Sequence, residues 1–154
     1  MPLADLLVPN AVFPMLRASS KKQLLQELAQ HAASLIDRDQ REIFETLLER
    51  ERLGSTGVGN GIAIPHGKLK DLDKLLGMFA RLEKPIDFDS LDGQPVDLVF
   101  LLLAPEAAGA DHLKALARVA RLLRDSDMVE KLRATRDANT MFNLLTQAAA
   151  SNAA

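Results

Sequence analysis

The chain has no cysteine, no tryptophan and no tyrosine. Without thiols there is no disulfide, no thiolate zinc site and no cysteine nucleophile, a composition that fits a reducing compartment. Without tyrosine or tryptophan, the aromatic platforms on which nucleic-acid bases stack are missing. A basic surplus is missing too. The 19 lysines and arginines are outnumbered by 21 aspartates and glutamates, and a net charge of −2 leaves no excess to neutralise a phosphate backbone. Long apolar runs are also absent: the longest, Leu98 to Ala104, is about a third of a membrane span. The N-terminus lacks a basic segment followed by an apolar core. These absences describe a cytoplasmic soluble protein with no nucleic-acid partner and no membrane insertion.

What is present is ordinary globular chain. At 154 residues, 47% hydrophobic and 26% charged, it is expected to be one domain over 1–154 with a well-defined part at about 5–147. A chain of this size buries roughly 70% of the surface its unfolded form exposes. Val12 to Leu16 carries Pro14 and can form only an edge strand. Ser20 and Gln23 make a capping box that opens a helix to about Ile36, with His31 on its apolar stripe as a half-buried structural residue. Asp39 and Glu42 start a second helix, whose inner face is Ile43, Phe44, Leu47 and Leu48 and which ends at Gly54. Leu75–Leu82 and Val96–Leu103 are nearly continuous apolar runs, the pattern of strands covered on both faces. The aspartate-rich loop Asp87–Gly93 lacks the spacing and terminal glutamate of a calcium loop. Asp111 is expected to cap a helix that buries Leu113, Leu116, Ala117, Ala120 and Leu123. Ser126 and Asp137 are expected to cap helices at 127–134 and about 138–148, before a frayed tail. Helices at both ends around central strands define an α/β fold, a single domain with a mixed β-sheet flanked by helices.

The chemically informative stretch is Arg50 to Lys68. Four of the eight glycines fall between Gly54 and Gly61, and a short apolar segment, Ile62-Ala63-Ile64, leads through Pro65 to His66. Glycine-rich backbone exposes N–H groups to an anion, so Ser55, Thr56, Gly57, Gly59, Asn60 and Gly61 form a candidate phosphate-binding loop. His66 is expected at the end of a strand, Gly67 at a turn away from it, and Leu69–Lys74 in a polar connection. The spacing rejects several motifs. Five residues, not four, separate Gly61 from Gly67-Lys68, and Leu69 stands where a P-loop needs Ser or Thr. Neither glycine pair in the loop extends to G-x-G-x-x-G, and no G-x-S-x-G is present. Three scattered histidines without H-x-x-x-H make no zinc motif, so no metal and no cofactor is expected. What remains is a histidine beside anion-friendly backbone, with His112 in the first turn of a helix and Arg50 in the last turn of another. A neutral imidazole can attack phosphorus, and phosphoryl transfer asks for little beyond positioning and charge stabilisation. Arg50 could present a positive fork to phosphoryl oxygens.

Arg50-Glu51-Arg52-Leu53-Gly54-Ser55-Thr56-Gly57-Val58-Gly59-Asn60-Gly61-Ile62-Ala63-Ile64-Pro65-His66-Gly67-Lys68 resembles the active-site segment of the enzyme IIA proteins of the bacterial phosphotransferase system, fructose/mannitol/nitrogen-regulatory family. Pro95 to Pro105 and Asp111-His112-Leu113 resemble its second hallmark, and the similarity runs over roughly residues 5–147. The Pro-His-Gly-Lys ending and the standalone length are most similar to the nitrogen-regulatory members. The resemblance implies that His66 accepts a phosphoryl group through Nε2, with Nδ1 held by a local hydrogen bond, from an HPr-like phosphocarrier protein (NPr). It implies that His112 and Arg50 stabilise the phosphate, and that the regulated targets include potassium-transport or sensor-kinase proteins. Some nitrogen-regulatory members have His-x-His where this chain has His112-Leu113-Lys114, so one histidine would carry that role here. Two other readings stand beside this one. The first is a sugar-specific IIA passing phosphate to a IIB domain. The second, of another class, is a binding module that holds phosphate or a phosphometabolite without turnover.

Overall fold

The computed structural model describes residues 3–152, with side chains described up to Gln147. Two 3-10 turns, Leu3–Asp5 and Pro9–Ala11, lead into strand β1, Val12–Leu16. Helices α1 (Lys21–Ile36) and α2 (Gln40–Arg52) follow, then the short strands β2 (Gly57–Gly59), β3 (Ile62–Ala63) and β4 (His66–Leu69). The long strands β5 (Leu76–Ile86) and β6 (Val96–Pro105) precede helices α3 (Ala110–Leu122), α4 (Ser126–Ala134) and α5 (Ala138–Asn152). The sheet order is β1-β5-β6-β3-β2, with β4 also paired to β6. β1 runs parallel to β5, β5 antiparallel to β6, and β3 and β4 both run parallel to β6. The sheet is therefore mixed, and β1 with its proline lies at an edge.

The core follows the apolar runs. Leu98 to Ala104 on β6 and Met78 to Ala80 on β5 are completely buried. α1 is capped by Ser20, whose hydroxyl accepts from the Gln23 N–H at 3.1 Å. The Gln23 side chain reaches back one residue further than a capping box requires, accepting from Ser19 N–H at 2.7 Å. Asp37 at φ 52° ends α1 and Asp39 caps α2, so the two helices form a tight hairpin, and α2 lies against β4. His31 is half-buried with its ring 4.3 Å from that of Phe13.

Several boundaries differ from expectation, each for a local reason. Gly109, at φ 56°, is the N-cap of α3, so the helix starts earlier than a cap at Asp111 implied. Its buried stripe is His112, Ala115, Val119 and Leu122, while Leu113 is 68% exposed and Ala117 faces solvent. Both stripes have helical spacing, and of the expected one Leu123 is buried while Leu116 and Ala120 pack half-buried against the core. α4 is capped by Asp125, not Ser126: the carboxylate is an acceptor that reaches both Asp127 and Met128 N–H groups, at 3.0 and 3.3 Å. Gly67 does not turn the chain, and Leu69 is not in a polar connection. Both lie in β4, where Gly67 pairs with Leu103 and Leu69 is 1% exposed. Leu3, Leu6 and Leu7 join the core through the N-terminal 3-10 segment, which periodicity cannot flag. The backbone of α5 is helical to Asn152, whereas the expected frayed tail from Ala148 falls on residues whose side chains are outside the description, as Ala153 and Ala154 are altogether.

Candidate active site

The glycine-rich stretch is not an open loop. Asn60 (φ 56°) and Gly61 (φ 79°) form a two-residue left-handed turn joining β2 to β3, the geometry for which Asn-Gly is the favoured sequence. A hairpin settles its backbone groups internally. Gly57 pairs with Ala63 and Gly59 with Ile62. The Gly57 N–H donates to Ser55 Oγ at 3.0 Å, and the Ser55 hydroxyl donates to Phe88 O at 2.8 Å. The Asn60 N–H donates to Asp92 Oδ2 at 2.9 Å, and Arg133 donates to Asn60 O at 2.6 Å while forking onto Asp97. Ile62, the residue after the hairpin tip, pairs with Leu98 and His66 with Leu102, four residues further along β6. The start of β3 is thus about 13 Å from the histidine along the sheet, and the hairpin tip lies beyond it. Of the six candidate loop residues, Thr56 is the one that binds Ile64, whose carbonyl meets the histidine ring.

β3 and β4 lie along the same edge of β6 and would be one strand but for Ile64-Pro65. Proline has no N–H to extend the ladder, and the residue before it is held extended. His66 therefore begins β4, where the sequence had suggested it would end β3. Its ring is fixed at both nitrogens. Nδ1 lies 2.8 Å from Ile64 O, and since a carbonyl can only accept, Nδ1 carries the proton. Nε2 then holds the lone pair, which accepts from the Arg50 Nε–H at 3.2 Å. Arg50 is itself oriented by donating to Gly54 O at 3.0 Å. The His112 ring stands edge-on to that of His66, with centroids 5.7 Å apart. His66, Arg50 and His112, taken from β4, the end of α2 and the start of α3, come together in one place.

Both imidazoles are biased toward the neutral form. Burial lowers the pKa of His66 from its ordinary 6.5; the Ile64 hydrogen bond opposes this, and the charge of Arg50 reinforces it. Burial also lowers His112, with the charges on His66 and Lys68 adding to the effect. His112 is only 6% exposed, and its Nε2 is enclosed without a hydrogen-bond partner. No side chain caps the N-terminus of α3, leaving that turn's N–H groups to favour negative charge. A neutral nucleophilic nitrogen beside a guanidinium, a second imidazole and a helix N-terminus is suited to receive an anionic electrophile. Among the described residues, no group of three His, Asp or Glu side chains is placed to hold a metal ion.

Sequence reasoning overlooked Glu51. It is 8% exposed, with Lys21 Nζ 3.0 Å away and Thr56 N–H donating at 3.0 Å, and the Thr56 hydroxyl bonds its other oxygen. The signal was available: Ile43, Leu47 and Glu51 are spaced i, i+4, i+8, which puts a carboxylate on the buried stripe of α2.

Comparison with known proteins gives the family. The family described as "Phosphoenolpyruvate-dependent sugar phosphotransferase system, EIIA 2" matches residues 5–148. A nitrogen regulatory protein of Bradyrhizobium diazoefficiens is 64% identical over 145 residues, 94% of this chain and 95% of that one. A fructose-specific EIIA component of Haloferax volcanii is 40% identical over 125 residues, 81% of this chain and 80% of that one. The crystal structure of nitrogen regulatory protein IIA-Ntr from Neisseria meningitidis superposes with a TM-score of 0.89 at 34% identity, covering 94% of this chain and 99% of that one. The chain belongs to the EIIA 2 family of the phosphotransferase system, and within it to the nitrogen-regulatory IIA-Ntr proteins. No helix among the described residues is long and apolar enough to cross a membrane.

Proposed function

We propose that the protein is a phosphoryl carrier that accepts phosphate on His66 Nε2 from an HPr-like phosphocarrier in the cytoplasm and regulates partner proteins according to its phosphorylation state. The observation that carries this reading is the ring's fixed orientation: Nδ1–H on Ile64 O and the lone pair of Nε2 facing Arg50. In the transfer step the Nε2 lone pair forms a bond to phosphorus as the donor's P–N bond breaks, and the donor nitrogen takes back its electron pair. No proton moves; Nδ1–H stays on Ile64 O, which disperses the positive charge that develops on the ring. Arg50 gives up its bond to Nε2 as phosphorus arrives and turns its donors to the phosphoryl oxygens. His112 and the first turn of α3 provide further stabilisation, and the backbone of the hairpin serves mainly to support the site.

Phosphorylation adds about −1.5 to −2 charge, a change as large as the whole chain's net −2. Such a change can switch protein contacts around the site, and the resemblance to nitrogen-regulatory members points to potassium-transport or sensor-kinase proteins as targets. Incubation with a phosphorylated HPr-like donor should label the protein with acid-labile, base-stable phosphate, and His66→Ala should abolish it. Equal labelling of the variant refutes the assignment. The fructose-specific relative favours a second reading, a IIA that passes phosphate to a IIB domain. Rapid loss of label to a purified IIB, with sugar phosphorylation following, selects it.

A further inference from the structure

A buried carboxylate costs several kcal/mol unless it is paired and fully hydrogen-bonded, and an apolar side chain in its place is often no less stable. Glu51 completes an otherwise apolar stripe, so its retention there calls for a reason beyond packing. Its two oxygens are divided among Lys21 Nζ, Thr56 N–H and the Thr56 hydroxyl. Lys21 is in turn held over the Phe88 ring, 4.6 Å from its centroid. Two of these bonds fall on one residue, Thr56, which is 4% exposed and lies just before β2.

Thr56 passes the constraint on. Its carbonyl accepts from the Ile64 N–H at 3.0 Å. Residue 64 lies outside the β3 pairing; Ala63 and Pro65 on either side of it are held to β6, the latter through Leu102 N–H at 3.0 Å, and the bond to Thr56 holds Ile64 on the opposite side. In an extended residue the N–H and C=O point to the same edge. Turning the Ile64 N–H toward Thr56 therefore also turns its carbonyl off β6, toward the ring of His66. That carbonyl is the acceptor for Nδ1–H. A neutral imidazole has one N–H, and the free side chain prefers it on Nε2, so the Nδ1–H form must be held.

We propose that Glu51 is a positioning residue which, acting through Thr56 and Ile64, fixes the His66 tautomer that leaves the Nε2 lone pair free for phosphorus. The proposal rests on the phosphoryl-acceptor reading above for its effect on rate, but not for its effect on the ring. Glu51 touches no reacting atom. Its negative charge also opposes that of Arg50 on the proton affinity of His66.

The test uses the full chain, unphosphorylated, with Glu51→Gln, Thr56→Val and Thr56→Ser. Long-range 1H–15N spectra of the His66 ring distinguish Nδ1–H from Nε2–H directly. In Glu51→Gln and Thr56→Val the ratio of the Nδ1–H to the Nε2–H form should fall about tenfold, the equivalent of one lost hydrogen bond. The rate of phosphate acceptance from the HPr-like donor should fall with it, at unchanged KM for the donor. Thr56→Ser, which restores the hydroxyl, should recover both. An unchanged tautomer in folded Glu51→Gln and Thr56→Val overturns the proposal, whatever happens to the rate. If Glu51→Gln does not fold, Thr56→Val, nearly identical in volume, decides the matter alone. If the parent protein takes no label, the acceptor reading fails while the ring spectra still test Glu51.

Discussion

Gly67 gives a sharp test of how α2 is seated against the site strand. A Cβ at this position would lie 2.6 Å from Thr46 Cγ2 on α2. Carbon atoms normally meet at about 3.5–4.0 Å, so the overlap is close to an ångström. The methyl cannot simply rotate away, because the Thr46 hydroxyl donates to Glu42 O at 2.8 Å and that bond fixes its rotamer. Overpacking of this kind costs about 1–3 kcal/mol, less about 0.5–1 kcal/mol regained because alanine suits a strand better than glycine does. Gly67→Ala should therefore lose about 0.5–2 kcal/mol. Thr46→Ser removes the methyl while keeping the hydroxyl bond, and alone should cost about 0.5–1.5 kcal/mol. The double variant should be more stable than the two losses summed, with a coupling of about 1–2 kcal/mol. Urea unfolding followed by far-UV circular dichroism is the assay, since the chain has no tryptophan or tyrosine to report by fluorescence. A common m-value across the four proteins is needed for the comparison. Additivity to within about 0.5 kcal/mol would refute the reasoning.

The remaining predictions concern charge, caps and the hairpin. Because burial holds His66 and His112 below 6.5, the unfolded chain binds their protons before the folded one does. The stability this gives is complete above pH 6.5 and is lost as pH falls from 6.5 through the folded values. An NMR titration should place both midpoints below 6.5, and one at or above it for His66 contradicts the burial argument. Asp125→Ala should cost about 0.5–2 kcal/mol and Ser126→Ala much less, measured by thermal unfolding; the reverse order would return the cap of α4 to Ser126. Gly61→Ala should destabilise more than Gly93→Ala in the same measurement. Both have positive φ, but a Cβ at Gly61 would meet Arg133 Nη2 and Asp97 Oδ1 whereas one at Gly93 meets open space. Equal losses would mean that backbone strain alone is responsible.

The parts legible in the sequence were those decided by neighbours along the chain. Ser20 and Asp39 announced α1 and α2, and unbroken apolar runs announced β5 and β6, because caps and burial on both faces leave local marks. Pro14 marked β1 as an edge for the same reason. His66, Arg50 and His112 were each singled out as candidates, but their meeting depends on the pairing of β4 with β6 and on the seating of α2 and α3, which involve residues far apart in sequence. The hairpin was misjudged because four glycines suggest an open loop unless Asn60-Gly61 is taken as a turn. The face of α3 was found in part: Leu123 is buried and Leu116 and Ala120 pack against the core, but Leu113 and Ala117 are exposed, because adjacent stripes have equal helical spacing and only the partner surfaces choose between them. Glu51 was passed over because a charged residue is normally assigned to solvent.

The interruption at Ile64-Pro65 has a consequence for how the molecule opens. β5 and β6 are zipped together from Leu76 to Arg81 against Leu98 to Leu103, and the amides of that ladder should exchange with solvent only when the whole domain unfolds. The segment bearing His66 has a soft seam beside that hard frame. Its amide at Ile64 is tied to Thr56 and not to β6, and Thr56 is tied to a side chain. Such a seam can part and reclose while the frame stays shut. In a hydrogen-exchange experiment the Thr56 and Ile64 amides should therefore form a unit of their own, exchanging together and earlier than β6, and their shared rate would measure how often the histidine is released from its setting.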